Sequence, residues 1–251
     1  MLIYQAPSAR FIDDVRGNTI SDIMQENYRA HLGRNPAQPE FVSWQNSLSR
    51  VRDLLELGQL NDIYVALEYE VPYNQSRLDC LLFGKGGDDN SNVILIELKQ
   101  WSAVKALPEE GNFVETYTGG AERIVPHPSQ QVKGYHNYML GFIEEFEKEP
   151  TLTLHSYAYC HNYSRTDGKG LHNPVYKALI DEFPLYSKED TRLLGNRIRE
   201  LLDRGSGFEI FNRFMQSRLR PSKKLLENVH KIIKNDVVFS RSEERRGGKE
   251  C

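Results

Sequence analysis

The sequence feature that most constrains this fold is an apolar run that two charged residues follow directly. Val93-Ile94-Leu95-Ile96 precedes Glu97-Leu98-Lys99. An uninterrupted apolar run of this length is typical of a central β-strand that is buried on both faces. Because residues two positions apart on a strand share a face, we expect the Glu97 and Lys99 side chains to project together where this strand ends, with Leu98 in the core.

Hydrophobic spacing predicts helices on both sides of a block of strands. Thr19-Ile20-Ser21-Asp22 matches a capping box that opens a helix ending at Gly33, and a second helix is predicted after Pro39. Further helices are expected from Ser129, which can cap the first of them, and over residues 175–183, 188–203, 207–218 and 222–234. Helices that bracket a block of strands predict an α/β layered domain with a mixed sheet.

The other strands are predicted from alternation and from turn residues. Residues 64–71 alternate, which predicts one face with Val65, Leu67, Tyr69 and Val71 and an opposite face with Glu68 and Glu70. Strands are also expected over residues 77–83 and 152–160. The Gly119-Gly120 pair between residues 114–118 and 121–125 predicts a β-hairpin.

The overall charge excludes a strongly basic surface but allows a local basic patch. The chain has 251 residues, which is room for one large domain or two small ones, and 39% of them are hydrophobic, which allows a buried core. Its formal net charge is −3. Between residues 213 and 234, seven residues are basic and only Glu227 is acidic. Such a patch can meet nucleic-acid phosphates through Arg220, Lys223 and Lys224. The alternatives are a solvated helix face and a contact with another domain.

Cysteine usage and hydropathy predict a cytoplasmic protein. Cys80, Cys160 and Cys251 are too few and too far apart for a disulfide framework or a zinc site, which favours a reducing compartment. No apolar run is long enough to span a membrane, and the N-terminal residues lack the pattern of a signal peptide.

An acidic residue on the preceding strand gives the Glu97–Lys99 pair a candidate chemical partner. Buried charges cost several kcal/mol unless they are paired or bind a metal. If residues 77–83 pair with the central strand, Asp79 approaches Glu97, and a divalent cation would relieve the repulsion between the two carboxylates. Lys99 beside a metal-bound water would then support attack on a phosphodiester. A structural salt bridge at a strand end is the alternative.

The next helix adds two polar residues to this group. Gln131 and Tyr135 are four residues apart and therefore share a helix face, although the pair alone also fits an ordinary half-buried face. Together, Asp79, Glu97-x-Lys99 and Gln131-x-x-x-Tyr135 resemble the PD-(D/E)XK nuclease superfamily, in its RecB-like branch. Leu78 stands in place of the proline that names the superfamily.

This resemblance implies a restriction-endonuclease-like α/β fold with a mixed central sheet flanked by helices. It implies that Asp79 and Glu97 bind Mg²⁺ or Mn²⁺, and that Lys99 is the catalytic lysine. It further implies that Gln131 and Tyr135 position the metal site or the nucleic acid. For an additional acidic ligand the resemblance suggests Glu68 first, and Glu26 second.

A closer resemblance covers nearly the whole chain. It rests on Leu2-Ile3-Tyr4-Gln5, Glu97-Leu98-Lys99-Gln100-Trp101, His127-Pro128-Ser129, His161-Asn162-Tyr163 and Arg220-Pro221-Ser222-Lys223. These segments are similar to the N-terminal region of bacterial schlafen-like (group-three) DNA/RNA helicase proteins. The similarity implies a nuclease-like domain that acts on DNA or RNA and precedes an ATP-driven helicase motor. Because the chain has no G-x-x-x-x-G-K-[ST] loop, the motor is expected beyond residue 240.

The expected organisation has three parts. Residues 1–165 are predicted to form the nuclease-like core, and residues 166–240 a mostly helical extension that leads to the helicase domain. Residues 241–251 resemble the translation of a DNA-sequencing adapter and are expected to be an artefact. Two rival functions stay open, namely a non-catalytic nucleic-acid-binding module that targets the motor and a structural interaction domain. Trp101 and Tyr117 could stack on bases, although packing in the core or at its rim is the commoner role.

Overall fold

The computed structural model describes residues 1–72, 76–87, 89–165 and 169–232, which form helices around a mixed six-stranded sheet. The strands are β1 (Leu2–Pro7), β2 (Tyr64–Glu70), β3 (Arg77–Lys85), β4 (Ser91–Lys99), β5 (Lys105–Ala106), β6 (Phe113–Thr118), β7 (Ala121–Pro126), β8 (Leu152–Cys160) and β9 (Leu185–Ser187). The helices are α1 (Ser8–Arg16), α2 (Ile20–Leu32), α3 (Gln38–Gly58), α4 (Pro128–Phe142), α5 (Lys177–Glu182), α6 (Thr191–Leu202) and α7 (Gly207–Met215). Residues 223–232 are also helical. The residues predicted as an adapter artefact, 241–251, lie outside the described ranges.

The apolar run at residues 93–96 forms the centre of the main sheet, as predicted. The strand order is β1-β2-β3-β4-β8-β9. Strands β1 to β4 pair antiparallel, and β8 and β9 continue the sheet in parallel to β4. Ile94 and Ile96 pack in one core cluster with helices α1, α2, α3 and α6, whereas Val93 and Leu95 pack in a second cluster with α4 and α7. The strand is therefore buried on both faces, and its carboxyl end is the place where its polar residues emerge.

The second sheet is the predicted hairpin with one short strand added. Strands β5, β6 and β7 form an antiparallel sheet in that order. Gly119 and Gly120 occupy the turn with φ angles of 58° and 84°. Two successive positive φ angles define the type I′ turn, which glycine adopts at little cost.

The N-terminal caps of two helices differ from the prediction. Helix α2 ends at the left-handed Gly33, as expected, but the Thr19 side chain caps no amide of this helix. The Thr19 hydroxyl donates instead to the carbonyl oxygen of Asp14, because the tight turn after α1 brings the two together. Helix α4 begins at Pro128, and its capping acceptor is the ring of His127, which receives the Ser129 amide. The predicted Ser129 cap is therefore wrong.

The predicted alternation of β2 is also wrong beyond Leu67. Val65 and Leu67 pack in the first core cluster, whereas Tyr69 and Val71 belong to the second cluster on the other face of the sheet. Glu68, between them, has a left-handed φ of 54° and pairs with neither neighbouring strand. Because of this backbone conformation, Glu68 lies on the same side of the sheet as Leu67, and the side chains after it lie on the side opposite to the predicted one.

The segment after residue 165 contributes to the same sheet and core as the residues before it. Strand β9 pairs with β8 at the edge of the main sheet. Leu194, Ile198 and Leu202 of α6 are fully buried in the first cluster, and Ile210 and Phe214 of α7 belong to the second. The predicted helical extension therefore completes the core. Among the described residues, no helix combines the length and the apolar character that crossing a bilayer requires.

Candidate active site

The site begins where the ladder between β3 and β4 opens. The last paired residues are Cys80 and Ile96, although both strands continue past them. Asp79 and Glu97 are the next residues on each strand. Asp79 Oδ2 accepts a hydrogen bond of 2.8 Å from the backbone amide of Leu98, so that a side chain takes over the role of the next ladder bond. The two strand ends separate at this point, and each contributes one carboxylate near the carboxyl end of the central strand.

Glu97 is the centre of the polar contacts at this strand end. Its side chain is almost fully buried, with 1% of the residue exposed. Glu97 Oε1 accepts hydrogen bonds from Lys99 Nζ at 2.6 Å and from Gln131 Nε2 at 2.7 Å. Gln131 Nε2 also donates to the Tyr135 hydroxyl at 2.9 Å. The structure thus brings together the four residues that the sequence placed on β4 and on the following helix.

The second oxygen of Glu97 has no hydrogen-bond partner within the described part of the chain, although it is buried. A buried polar atom normally has a partner, since leaving it unpaired costs about 1–3 kcal/mol. A carboxylate oxygen in this state favours a cation or a donor that the polypeptide itself does not supply.

The surroundings of Asp79 and Lys99 raise the pKa of both side chains, with different consequences for their charges. Burial raises the pKa of Asp79 well above its ordinary value, and the charges of Glu97 and Glu68 add to the rise, against the attraction of Lys99. Burial alone would lower the pKa of Lys99, but Glu97 and Asp79 outweigh it, and the net change is upward. Lys99 therefore stays protonated, whereas the charge on Asp79 is unfavourable without a cation.

Glu68 lies at the same cleft but has other partners. Its Oε1 accepts from Trp44 Nε1 at 2.9 Å, and its Oε2 lies 3.4 Å from the guanidinium of Arg77, which also pairs with Glu40. Burial raises the pKa of Glu68 to about 7, although Arg77 opposes the rise. The structure does not place Glu68 in a ligand group with Asp79 and Glu97. The described residues in fact contain no group of three or more His, Cys, Asp or Glu side chains arranged for a metal ion.

The reserve acidic residue is not part of the site. Glu26 lies on the exposed side of α2 and is not among the residues that line the cleft described next.

The strand ends open into a cleft of about 850 Å³ between α3 and the β5–β6–β7 sheet. Asp79, Glu68 and Lys99 line it from the main sheet. Trp101 is half-buried, and Lys99 Nζ lies 5.5 Å from the centre of its ring. Tyr117, on β6, has 69% of its surface exposed at the same cleft, so that it is not packed into the core or its rim.

Sequence reasoning missed the polar contacts that fix the start of the loop after Lys99. Gln100 Nε2 donates to Ser43 Oγ at 2.8 Å and to Ser47 Oγ at 3.1 Å. Ser47 Oγ also bonds the ring of the buried His161, whose amide donates to the carbonyl of Lys99. Ser43 and Ser47 come from α3, whereas Gln100 and His161 directly follow β4 and β8, and no local spacing in the sequence connects them.

The basic stretch is partly engaged in ion pairs. Arg213 binds Glu145 at 2.9 Å and Arg220 binds Glu144 at 2.8 Å. Glu144 and Glu145 belong to the short turn that follows α4 and lies ahead of β8 in the chain. Lys223 and Lys224 are exposed and form no side-chain ion pair within the described residues, so that they remain the candidates for phosphate contacts.

Comparisons with protein-family models, with curated proteins and with solved structures find no match for this chain. The class of site therefore follows from its chemistry. Proteins commonly hold Mg²⁺ through one or two carboxylates and leave the other positions to water and substrate. Asp79, whose charge is unfavourable, and Glu97, with a buried unpaired oxygen, fit that ligand set. Together with Lys99 they define an acidic, lysine-containing site at the end of a central strand.

Proposed function

We propose that this chain contains a restriction-endonuclease-like domain that hydrolyses phosphodiester bonds of nucleic acid with Mg²⁺ or Mn²⁺. The observation that carries the proposal is the buried, unpaired Oε2 of Glu97 next to a second carboxylate whose ionisation is disfavoured. A divalent cation between Asp79 and Glu97 would satisfy both groups. The separation of β3 and β4 at this point gives the substrate access from the cleft.

Each side chain has a role that follows from its contacts. Asp79 and Glu97 would hold the cation, which when bound supplies positive charge to the phosphoryl group in the transition state. Gln131 donates to Glu97 Oε1 and thereby leaves Oε2 to the cation. Tyr135 holds the amide of Gln131 in that orientation.

Lys99 acts through its charge and not as a base. An ammonium whose pKa is raised carries its proton at neutral pH, so it cannot take a proton from water. Its Nζ lies at the cleft beside Glu97, where it can stabilise negative charge that develops on a phosphoryl oxygen. Replacing Lys99 is therefore expected to reduce turnover without removing the carboxylates that hold the cation.

The test is a cleavage assay with Mg²⁺ or Mn²⁺ on single- and double-stranded DNA and RNA. Lys99→Ala should lose cleavage and retain cation binding, whereas Asp79→Asn and Glu97→Gln should lose both. The matched control is Lys105→Ala, because Lys105 lines the same cleft but pairs with Glu115 on the small sheet. Cleavage by Lys99→Ala at the wild-type rate would contradict the proposal.

A second function is favoured by the 2.6 Å ion pair between Lys99 and Glu97, which also suits a purely structural role. The chain would then be a non-catalytic module that binds nucleic acid and directs a helicase motor to it. Binding of DNA or RNA with no cleavage under either cation, and no change in thermal stability on adding the cation, would support that function instead.

A further inference from the structure

One face of the small sheet exposes apolar side chains next to the candidate site. Residues opposite each other in β6 and β7 share a face, so Phe113, Glu115 and Tyr117 lie on one side with Glu122 and Ile124. Phe113, Tyr117 and Ile124 are 42%, 69% and 59% exposed, whereas Val114 and Thr116 on the opposite side are buried. Aromatic residues that a protein leaves this exposed on one sheet face indicate a binding surface.

This face connects two openings that both reach the candidate site. Tyr117 lines the cleft that contains Asp79 and Lys99. Phe113 lines a second cavity, of about 520 Å³, together with Gln131 and Tyr135. The two rings are four residues apart on β6, or about 14 Å, which a few nucleotides of an extended strand can cover.

The charges along this face of the small sheet disfavour the binding of a double helix. Both lysines that line the cleft are engaged, Lys99 by Glu97 and Lys105 by Glu115, each at 2.6 Å. Glu115 and Glu122 lie on the same face as Tyr117 and line the cleft with it. The phosphates of a duplex are its outermost groups and would meet these carboxylates first. A single strand can instead turn its bases to the sheet and its phosphates to solvent, and base stacking on aromatic side chains tolerates any sequence.

We propose that the exposed face of β6 and β7 binds single-stranded nucleic acid, with bases stacked on Tyr117 and Phe113, and leads it to the candidate site. This inference rests on the proposed function for the reacting groups and specifies its substrate as a single strand. The alternative occupants of the face are a second copy of this chain and another protein.

The experiment measures fluorescence anisotropy of a labelled single-stranded oligonucleotide, as DNA and as RNA, and of the duplex with the same sequence. Ca²⁺ replaces Mg²⁺ so that the probe stays intact. The wild type should bind at least one of the single strands more tightly than the duplex. Tyr117→Ala and Phe113→Ala should each weaken single-strand binding at least about five-fold, whereas Tyr117→Phe should bind as the wild type does.

The matched control is Phe208→Ala, since Phe208 is 61% exposed but lies on α7 against Tyr64, away from the small sheet. Circular dichroism checks that every variant is folded. Unchanged single-strand affinity in Tyr117→Ala and Phe113→Ala would overturn the inference, as would tighter binding of the duplex by the wild type. A dimer in sedimentation that only Tyr117→Ala dissociates, with unchanged single-strand affinity, would assign the face to a second copy and overturn it too.

The same variants separate this inference from the proposed function. Single-strand binding that depends on Tyr117, without cleavage under Mg²⁺ or Mn²⁺, would support the binding face and contradict the nuclease. Cleavage that depends on Lys99 but not on Tyr117 or Phe113 would support the nuclease and overturn the binding face.

Discussion

Asp79 carries a negative charge that its buried surroundings disfavour. Burial raises its pKa well above the ordinary value, and the neighbouring Glu97 and Glu68 add to the effect. A carboxyl whose pKa is raised in the folded state stabilises the fold at low pH and loses that contribution as the pH rises through the folded pKa. The cost of ionised Asp79 is therefore present at neutral and alkaline pH.

We expect Asp79→Asn to be more stable than the wild type in EDTA at mildly alkaline pH, because the substitution removes the charge and keeps an oxygen for the Leu98 amide. The difference should shrink as the pH falls. Mg²⁺ should raise the melting temperature of the wild type only. Asp181→Asn, on the exposed surface of α5, is the control. A lower melting temperature for Asp79→Asn in EDTA would indicate that Asp79 is a structural partner of Lys99.

His127 contributes to the stability of the fold with a pH dependence opposite to that of Asp79. Its ring is fully buried, Nδ1 accepts the Ser129 amide, and Nε2 donates to the carbonyl of Leu171. Burial lowers its pKa from 6.5 to about 4. A histidine with a lowered pKa takes up its proton more readily when unfolded, so its contribution is complete above pH 6.5 and is lost as the pH falls toward 4.

For this reason we expect the free energy of unfolding to fall by up to about 3 kcal/mol through His127 alone over that range. His127→Gln keeps a donor for Leu171 but does not titrate, so the difference between wild type and variant isolates the effect. Urea unfolding at several pH values measures it. Parallel pH profiles for the two proteins would rule out this role of His127.

At the level of secondary-structure elements, the sequence predicts those features that depend on residues close together in the chain. The buried run at residues 93–96, the hairpin turn at Gly119-Gly120 and the end of α2 at Gly33 were all predicted correctly. Burial on both faces, a type I′ turn and a left-handed helix end each leave a local signature.

What the sequence did not reveal depends on contacts between distant segments. The left-handed φ of Glu68 has no local cause, because the residue is held there by Trp44 from α3 and Arg77 from β3. Backbone strain of this kind persists only where the surroundings impose it, and it concentrates at functional sites. The strands β1 and β9 were also missed, since each lies at an edge of the sheet and takes its place from the strand beside it.

At two glycines, substitution by alanine is expected to change the stability of the protein in opposite directions. Gly134 lies within α4 and a Cβ there would meet nothing, so Gly134→Ala should stabilise the protein by roughly 0.5–1 kcal/mol through helix propensity. Gly207 begins α7, and a Cβ there would collide with the backbone of Ile63 and Tyr64. Gly207→Ala should destabilise the protein by about 2 kcal/mol or more. Chemical denaturation of both variants checks the pair, and equal effects would refute the close approach of α7 to β2.

On the scale of the whole molecule, the candidate site depends on a sheet that the C-terminal helices help to bury. Helix α6 packs on α3, which lines the cleft, and α7 packs through Phe211 and Phe214 on Phe83 of β3. Strand β3 carries Asp79 at its other end. The chain after residue 165 therefore supports the strand and the helix that position the site.

A chain that ends at residue 165 should consequently fail to form a fixed tertiary structure. The truncation removes α6 and α7 and thereby exposes the apolar side chains of β3, β4 and α3 that these helices cover. It also removes strand β9. We expect far-ultraviolet circular dichroism to retain helix and strand signals while the near-ultraviolet signal is lost and a hydrophobic dye binds. The reference is the chain ending at Ser240, which should melt cooperatively. A cooperative melting transition and Mg²⁺ stabilisation of the shorter chain would demonstrate instead that residues 1–165 fold independently of the helices that follow.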